Sequence, residues 1–215
     1  MRSSTTYPCA ILGAGEILDY TRVASLLDAP AFVICADGGL THCEQLGLRP
    51  HLLVGDFDSL KQPAPPGIER ITLTPEKDYT DSYHAAEVAV GRGYARILLS
   101  GMLGGRLDHT LSNLQILLSL AGQNADALLT DGVTDTYALS GGGQLTLPNR
   151  EDCYFSVLAM GSCQGVTITG GKFPLNEYPL RPDDPRAVSN EFAGSDVNIS
   201  QKSGMLVVVS QPKSS

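Results

Sequence analysis

The chain has 215 residues, 42% hydrophobic and 18% charged, with 15 Lys+Arg against 23 Asp+Glu and a formal net charge of −8. This is globular composition, enough for one large domain or a medium one plus a small one, and it excludes intrinsic disorder as the main state. The acidic balance excludes a dominant nucleic-acid role, which needs a basic face, and no apolar run approaches the roughly 20 residues of a membrane helix.

The first two-thirds alternates short apolar runs with helical patterns. Residues 9–12, 31–36, 52–54, 71–73, 96–100 and 127–130 are β-branched or Leu-rich and read as buried parallel strands. Leu40, Cys43 and Leu46 mark a helix that Gly47 ends. Ala85, Ala86, Val88 and Ala89 mark a second, with Thr80 or Asp81 near its N-cap. Leu107, Leu111, Leu114 and Leu118 fall on one face of a third. The alternation predicts an α/β catalytic domain, a parallel sheet wrapped by helices.

Gly141-Gly142-Gly143 breaks this texture. After it, residues 144–147, 154–159, 166–169, 197–200 and 205–210 alternate with period two between Gly and Pro. They predict a small C-terminal antiparallel β-sandwich. Pro174, Pro179, Pro182 and Pro185 make 174–185 a loop or an irregular edge. The expected domains are residues 1–140 and 141–215. Cys9, Cys35, Cys43, Cys153 and Cys163 form no CxxC pair. They read as buried small apolar residues in a reducing compartment, which predicts a cytoplasmic protein. The apolar stretch before Gly13 is too short for a signal-peptide core.

The polar clusters follow the expected strands: Asp37-Gly38-Gly39, Gly55-Asp56-Phe57-Asp58-Ser59, Lys77-Asp78-Tyr79-Thr80-Asp81, and Gly101 through His109. In a parallel sheet the carboxyl ends share one edge, and ligands bind in the crevice outside it. Asp37, Asp56, Asp58, Asp81 and Asp108 would repel one another there. A divalent cation removes that cost, and Mg²⁺ prefers hard oxygen ligands shared with substrate phosphates. Asp56 and Asp58, at i and i+2, point the same way in an extended segment. Arg106, a planar fork, and Lys77, a point charge, face phosphate oxygens. Gly104 and Gly105 permit close backbone approach before a helix N-terminus. Taken singly, each element has a plainer reading: a DxD turn, a Gly-Gly turn, a surface Arg106–Asp108 pair, a capping His109. Gly13-Ala14-Gly15 opens like a dinucleotide fingerprint, but Leu18 stands at the third glycine position. No Walker A loop, GxSxG elbow or HExxH is present.

These motifs, with Asn113, stand in the order found in the thiamine pyrophosphokinase family, which the chain resembles over nearly its whole length. Gly165-Val166-Thr167, Gly171-Lys172-Phe173-Pro174-Leu175 and Ser189-Asn190-Glu191-Phe192 resemble that family's β-rich domain. The resemblance implies transfer of the pyrophosphoryl group of ATP to the hydroxyl of thiamine, giving thiamine diphosphate and AMP. It implies a homodimer with active sites between subunits. It assigns catalysis to Asp56, Asp58, Asp81, Arg106 and Asp108, and Mg²⁺ to Asp56, Asp58 and Asp81. ATP and its phosphates fall to Asp37, Gly38, Lys77, Thr80, Gly104, Gly105, Arg106 and His109, and thiamine to Ser189 and Asn190. Three alternatives stay open: a diphosphokinase for another hydroxymethyl heterocycle such as a pterin, an aspartyl-phosphate phosphatase built on the DxD, and a non-catalytic nucleotide sensor.

Overall fold

The computed structural model describes residues 6–27, 29–56, 66–73 and 79–213, which fall into two units. The first runs to Leu120 and adds Ala125–Gly132; the second takes Ala121–Asn124 and the chain from Val133.

In the first unit, strands β1 (Cys9–Leu12), β2 (Phe32–Ala36), β3 (Leu52–Gly55), β4 (Glu69–Thr72), β5 (Arg96–Ser100) and β6 (Asp126–Thr130) lie parallel in the order β6-β5-β1-β2-β3-β4. Strands β1, β2 and β3 are buried at every residue. Covered on both faces, they need apolar side chains throughout, which is why they are continuous apolar runs. Edge strand β4 is mostly exposed and carries Glu69 and Arg70.

Four helices are described: α1 (Tyr20–Ser25), α2 (Leu40–Gln45), α3 (Asp81–Gly91) and α4 (Leu107–Gly122). Helix α1 has no counterpart in the sequence expectations; the Asp19 carboxylate caps it, accepting from Arg22 N at 2.9 Å. Helix α2 follows a 3-10 turn, Asp37–Gly39, and closes as Gly47 N donates to Glu44 O. Helix α3 starts where expected, the Thr80 hydroxyl accepting from Tyr83 N at 3.2 Å. Its buried Ala85, Ala86 and Ala89 are small enough to bring the helix close over β1, β2 and β3. Helix α4 corrects one expectation. Its buried face is Asn113, Ile116, Leu117 and Leu120. Leu107 and Leu111 are 71% and 53% exposed, and Leu114 and Leu118 are only half-buried. The helix is apolar on two faces, and the leucine stripe that periodicity picks out is the outer one.

In the second unit, β7 (Asp135–Ser140), β8 (Gln144–Leu147), β9 (Cys153–Ala159), β10 (Cys163–Thr169), β11 (Leu175–Leu180), β12 (Asn190–Glu191), β13 (Val197–Ser200) and β14 (Met205–Pro212) form two antiparallel stacks, β12-β9-β14-β7 and β11-β10-β13-β8. Inward residues of both, among them Leu145, Phe155, Val157, Ile168, Ile199 and Val208, share one core, as in a sandwich. Burial alternates strictly along β9. The units divide between Gly132 and Val133, ahead of the expected residue 140, because β7 pairs with β14 over its whole length. Strand β11 lies within the proline-rich segment. It is an edge strand with shifted register against β10, bent at Glu177 (φ 46°) and carrying Pro179. All five cysteines are free and buried.

Candidate active site

Parallel strands bring the loops that follow them to one edge of the first unit. Residues 13–15 follow β1, Asp37–Gly39 follow β2, Asp56 follows β3, Thr80-Asp81 open α3, and residues 101–106 join β5 to α4. Asp37 has φ 51°, a conformation that costs an Asp on the order of 1 kcal/mol. This geometry sends its carboxylate against the end of β3, where a Cβ on Gly55 would lie 3.3 Å from Asp37 Oδ1. Asp37 thereby stands beside the backbone that carries Asp56. Gly38 faces Ala14, with 3.1 Å between an added Cβ and the Ala14 methyl.

Asp81 is only 6% exposed, in the first turn of α3, where the helix dipole favours an anion. At the start of α4, Arg106 Nε and Nη2 donate to Asp108 Oδ1 and Oδ2 at 3.1 and 2.6 Å. Hydrogen bonding from Arg106, helped by the His109 backbone N–H at 3.0 Å, holds the Asp108 carboxyl down at about 2. The His109 side chain is exposed. Gly104 and Gly105 both take positive φ, and two α4 side chains brace their loop: Thr110 Oγ1 donates to Gly104 O at 3.1 Å, and buried Asn113 Nδ2 donates to Met102 O at 2.8 Å. A cavity of about 270 Å³ opens between α3 and α4, lined by Tyr79, Thr80, Tyr83, Ser112, Gln115 and Ile116. Nothing in the residue spacing announces it.

Asp58 and Lys77 lie outside the described residues. Among the described residues, no three His, Cys, Asp or Glu side chains form a metal-holding group. The expected donors Asp56 and Asp81 offer hard carboxylate oxygens, and Mg²⁺ typically takes only one or two from protein. The donor chemistry fits that ion.

In the second unit, Ser189 takes φ 55° and its N–H donates to Ser156 Oγ at 3.0 Å. Asn190 is 1% exposed, and its amide is engaged with backbone. Oδ1 accepts from Phe173 N at 3.0 Å and Glu191 N at 2.9 Å, and Nδ2 donates to Phe173 O at 2.8 Å. Lys172 and Lys213 each reach the Glu191 carboxylate at 2.8 Å and hold it down at about 2. The 172–173 segment is thus clamped while the Phe173 ring stays 54% exposed. Spacing alone did not reveal this clamp, because its partners are 17 and 19 residues apart.

Residues 23–129 match the family model described as thiamin pyrophosphokinase, catalytic domain, and residues 144–206 match thiamin pyrophosphokinase, vitamin B1 binding domain. The chain is 28% identical over 182 residues to the thiamine pyrophosphokinase of Bacillus subtilis, covering 82% of this chain and 85% of the relative. The crystal structure of thiamine pyrophosphokinase from Bacillus subtilis superposes with a TM-score of 0.86 at 25% identity, covering 96% of this chain and 99% of that one. Thiamin pyrophosphokinase from Geobacillus thermodenitrificans gives 0.81 at 28% identity, with 96% and 98% covered. With a catalytic match on one unit, a vitamin-binding match on the other and a shared fold over nearly the full length, the chain belongs to the thiamin pyrophosphokinase family.

Proposed function

We propose that this protein transfers the pyrophosphoryl group of ATP to the hydroxyl of thiamine, releasing thiamine diphosphate and AMP. The observation that carries the proposal is the pairing of the two family matches, catalytic and vitamin B1 binding, on one chain. Transfer of this kind asks a protein for in-line positioning and charge neutralisation more than for covalent chemistry.

The proposed residues have the chemistry those tasks need. Asp56, Asp58 and Asp81 are the proposed Mg²⁺ ligands; the ion, when bound, supplies neutralising charge to the donor phosphates. Arg106 supplies a planar fork for phosphate oxygens, and Asp108 holds that fork extended at the mouth of the glycine loop. Lys77 adds a cation, Thr80 and His109 add polar contacts, and Asp37, Gly38, Gly104 and Gly105 shape the cradle. Ser189 and Asn190 serve the thiamine side. Asn190 does so through the Phe173 backbone it grips, which keeps that aromatic ring displayed. The cationic ring of thiamine is drawn to a chain of net charge −8.

A homodimer with active sites between subunits is part of the proposal. Exposed Leu107, Leu111 and Tyr79, all beside the acidic edge, support it, since apolar side chains of that size gain from being covered. A cytoplasmic location is supported by the five free, buried thiols.

The test is product analysis. Purified protein, Mg-ATP and thiamine should yield thiamine diphosphate and AMP in equal amounts. ADP with thiamine monophosphate would overturn pyrophosphoryl transfer, and turnover of a pterin alcohol in place of thiamine would overturn the acceptor.

A further inference from the structure

Gly13-Ala14-Gly15 follows β1 at the centre of the parallel sheet. The chain leaves β1 toward β2 on one side and leaves β5 toward β6 on the other, so the β1–β5 junction is where the strand order reverses. In open parallel sheets, ligands bind outside the carboxyl ends at such a junction.

The two loops there are interlocked. Gly13 N donates to Ser100 O at 2.9 Å and Gly15 N to Gly101 O at 2.6 Å. An added Cβ on Gly13 would sit 2.7 Å from Gly101 O, and one on Gly101 (φ +68°) 2.6 Å from Gly13 O, so neither position accepts a side chain. Ala14 stands exposed at the tip, facing Gly38 of the second loop.

One side chain fastens this arrangement from α2. His42 Nε2 lies 2.6 Å from Gly15 O, and His42 Nδ1 lies 2.6 Å from the Tyr20 hydroxyl at the start of α1. A carbonyl only accepts, so Nε2 carries the proton; Nδ1 is then the acceptor and Tyr20 the donor. The ring also presses on Gly101, whose added Cβ would lie 3.1 Å from His42 Cδ2. His42 therefore touches both loops of the junction; the Gly15 carbonyl sets its tautomer, and the hydroxyl of Tyr20 holds the other ring nitrogen.

We infer that His42, oriented by Tyr20, is a positioning residue for the donor nucleotide: it fixes the Gly15 carbonyl and so holds the 13–15 loop as a nucleotide-facing wall beside the 101–105 loop. The inference rests on the proposed use of ATP but not on thiamine as acceptor. Only Ala14 is exposed at the tip, between buried Gly13 and half-buried Gly15, and its small side chain leaves room for a nucleotide phosphate or ribose to come close.

The experiment measures Mg-ATP affinity by titration calorimetry, alongside KM for ATP and for thiamine, in wild type, His42→Phe, His42→Gln and Tyr20→Phe. His42→Phe keeps a ring but loses both hydrogen bonds; it should weaken ATP by about five- to tenfold, with the thiamine KM within about twofold. His42→Gln, which keeps a donor and an acceptor, should recover most of that loss. Tyr20→Phe, the gentler variant should His42→Phe fail to fold, should weaken ATP by about two- to threefold. Unchanged ATP affinity in folded His42→Phe, or equal losses for ATP and thiamine, would overturn the inference. Wild type that binds Mg-ATP but makes no thiamine diphosphate would defeat the proposed reaction while leaving the latch to stand or fall on ATP affinity. Wild type that binds no ATP would defeat both.

Discussion

Arg106 and Asp108 meet in a two-point ion pair at the start of α4, Nε on Oδ1 and Nη2 on Oδ2, although both side chains are more than half exposed. Two residues apart, they fix the guanidinium through its Nε and Nη2 edge and leave the Nη1 side of Arg106 for a phosphate. The pair has a pH signature. Asp108 is held at about 2 against an ordinary 3.8, so it binds fewer protons folded than unfolded near pH 3. Its contribution to stability is therefore present above pH 3.8 and lost as pH falls toward 2. Carboxyl NMR titration of Arg106→Ala should show Asp108 climbing back toward 3.8, while the wild-type residue stays ionised throughout pH 5–8. Turnover of Arg106→Ala should fall by at least about a hundredfold, since charge-stabilising groups of this kind contribute that much.

Asp56 closes the β3 segment, beside the carboxylate that Asp37 swings across from the neighbouring loop. Asp56→Asn should cut turnover by about a hundredfold or more and shift the Mg²⁺ concentration needed for half-maximal rate upward. Thermal stability should change little, because the variant relieves like-charge crowding. A Mg²⁺ titration that is unmoved would separate Asp56 from the metal.

Asn190, proposed for the acceptor side, holds backbone with its side-chain amide. Asn190→Ala removes the partners of Phe173 N, Phe173 O and Glu191 N, which are part-buried, at a cost of about 1 kcal/mol per hydrogen bond. Thermal denaturation should show that loss. Because the Phe173 segment loosens, the thiamine KM should rise more than the ATP KM; equal rises would remove Asn190 from the acceptor side.

The outer leucine stripe of α4 gives a test of assembly. Leu111 is 53% exposed and outside the core, so Leu111→Lys should leave the monomer fold within about 0.5 kcal/mol. Sedimentation velocity should show a shift from dimer toward monomer. A variant that sediments as wild type would place the subunit contact elsewhere.

The parallel strands were legible because strands covered on both faces must be apolar without interruption, and the carboxyl-edge clusters followed from that. Helix α1 was not, since only Val23 of its six residues is buried, too little for a period. Periodicity found α4 but chose its outer stripe, because Leu107 and Leu111 are as apolar as Ile116 and Leu117 and spacing does not say which face meets the sheet. Strand β11 realises the irregular-edge alternative for the proline-rich segment, with Pro179 tolerated because an edge strand can spare ladder donors. Within the site, carboxylates and glycines at strand ends announced themselves. The Tyr20–His42–Gly15 chain did not, because its members are 22 and 27 residues apart and only topology joins them.

The five buried thiols give the protein an internal gauge of its own opening. Burial pushes the Cys9 thiol up to about 12 and raises those of Cys153 and Cys163, so in the native fold they offer almost no thiolate to an alkylating reagent. Cys9 sits on the central β1, whereas Cys153 and Cys163 belong to the sandwich. Site-resolved alkylation over time would therefore clock how often each half of the molecule comes apart, without any label added to the chain.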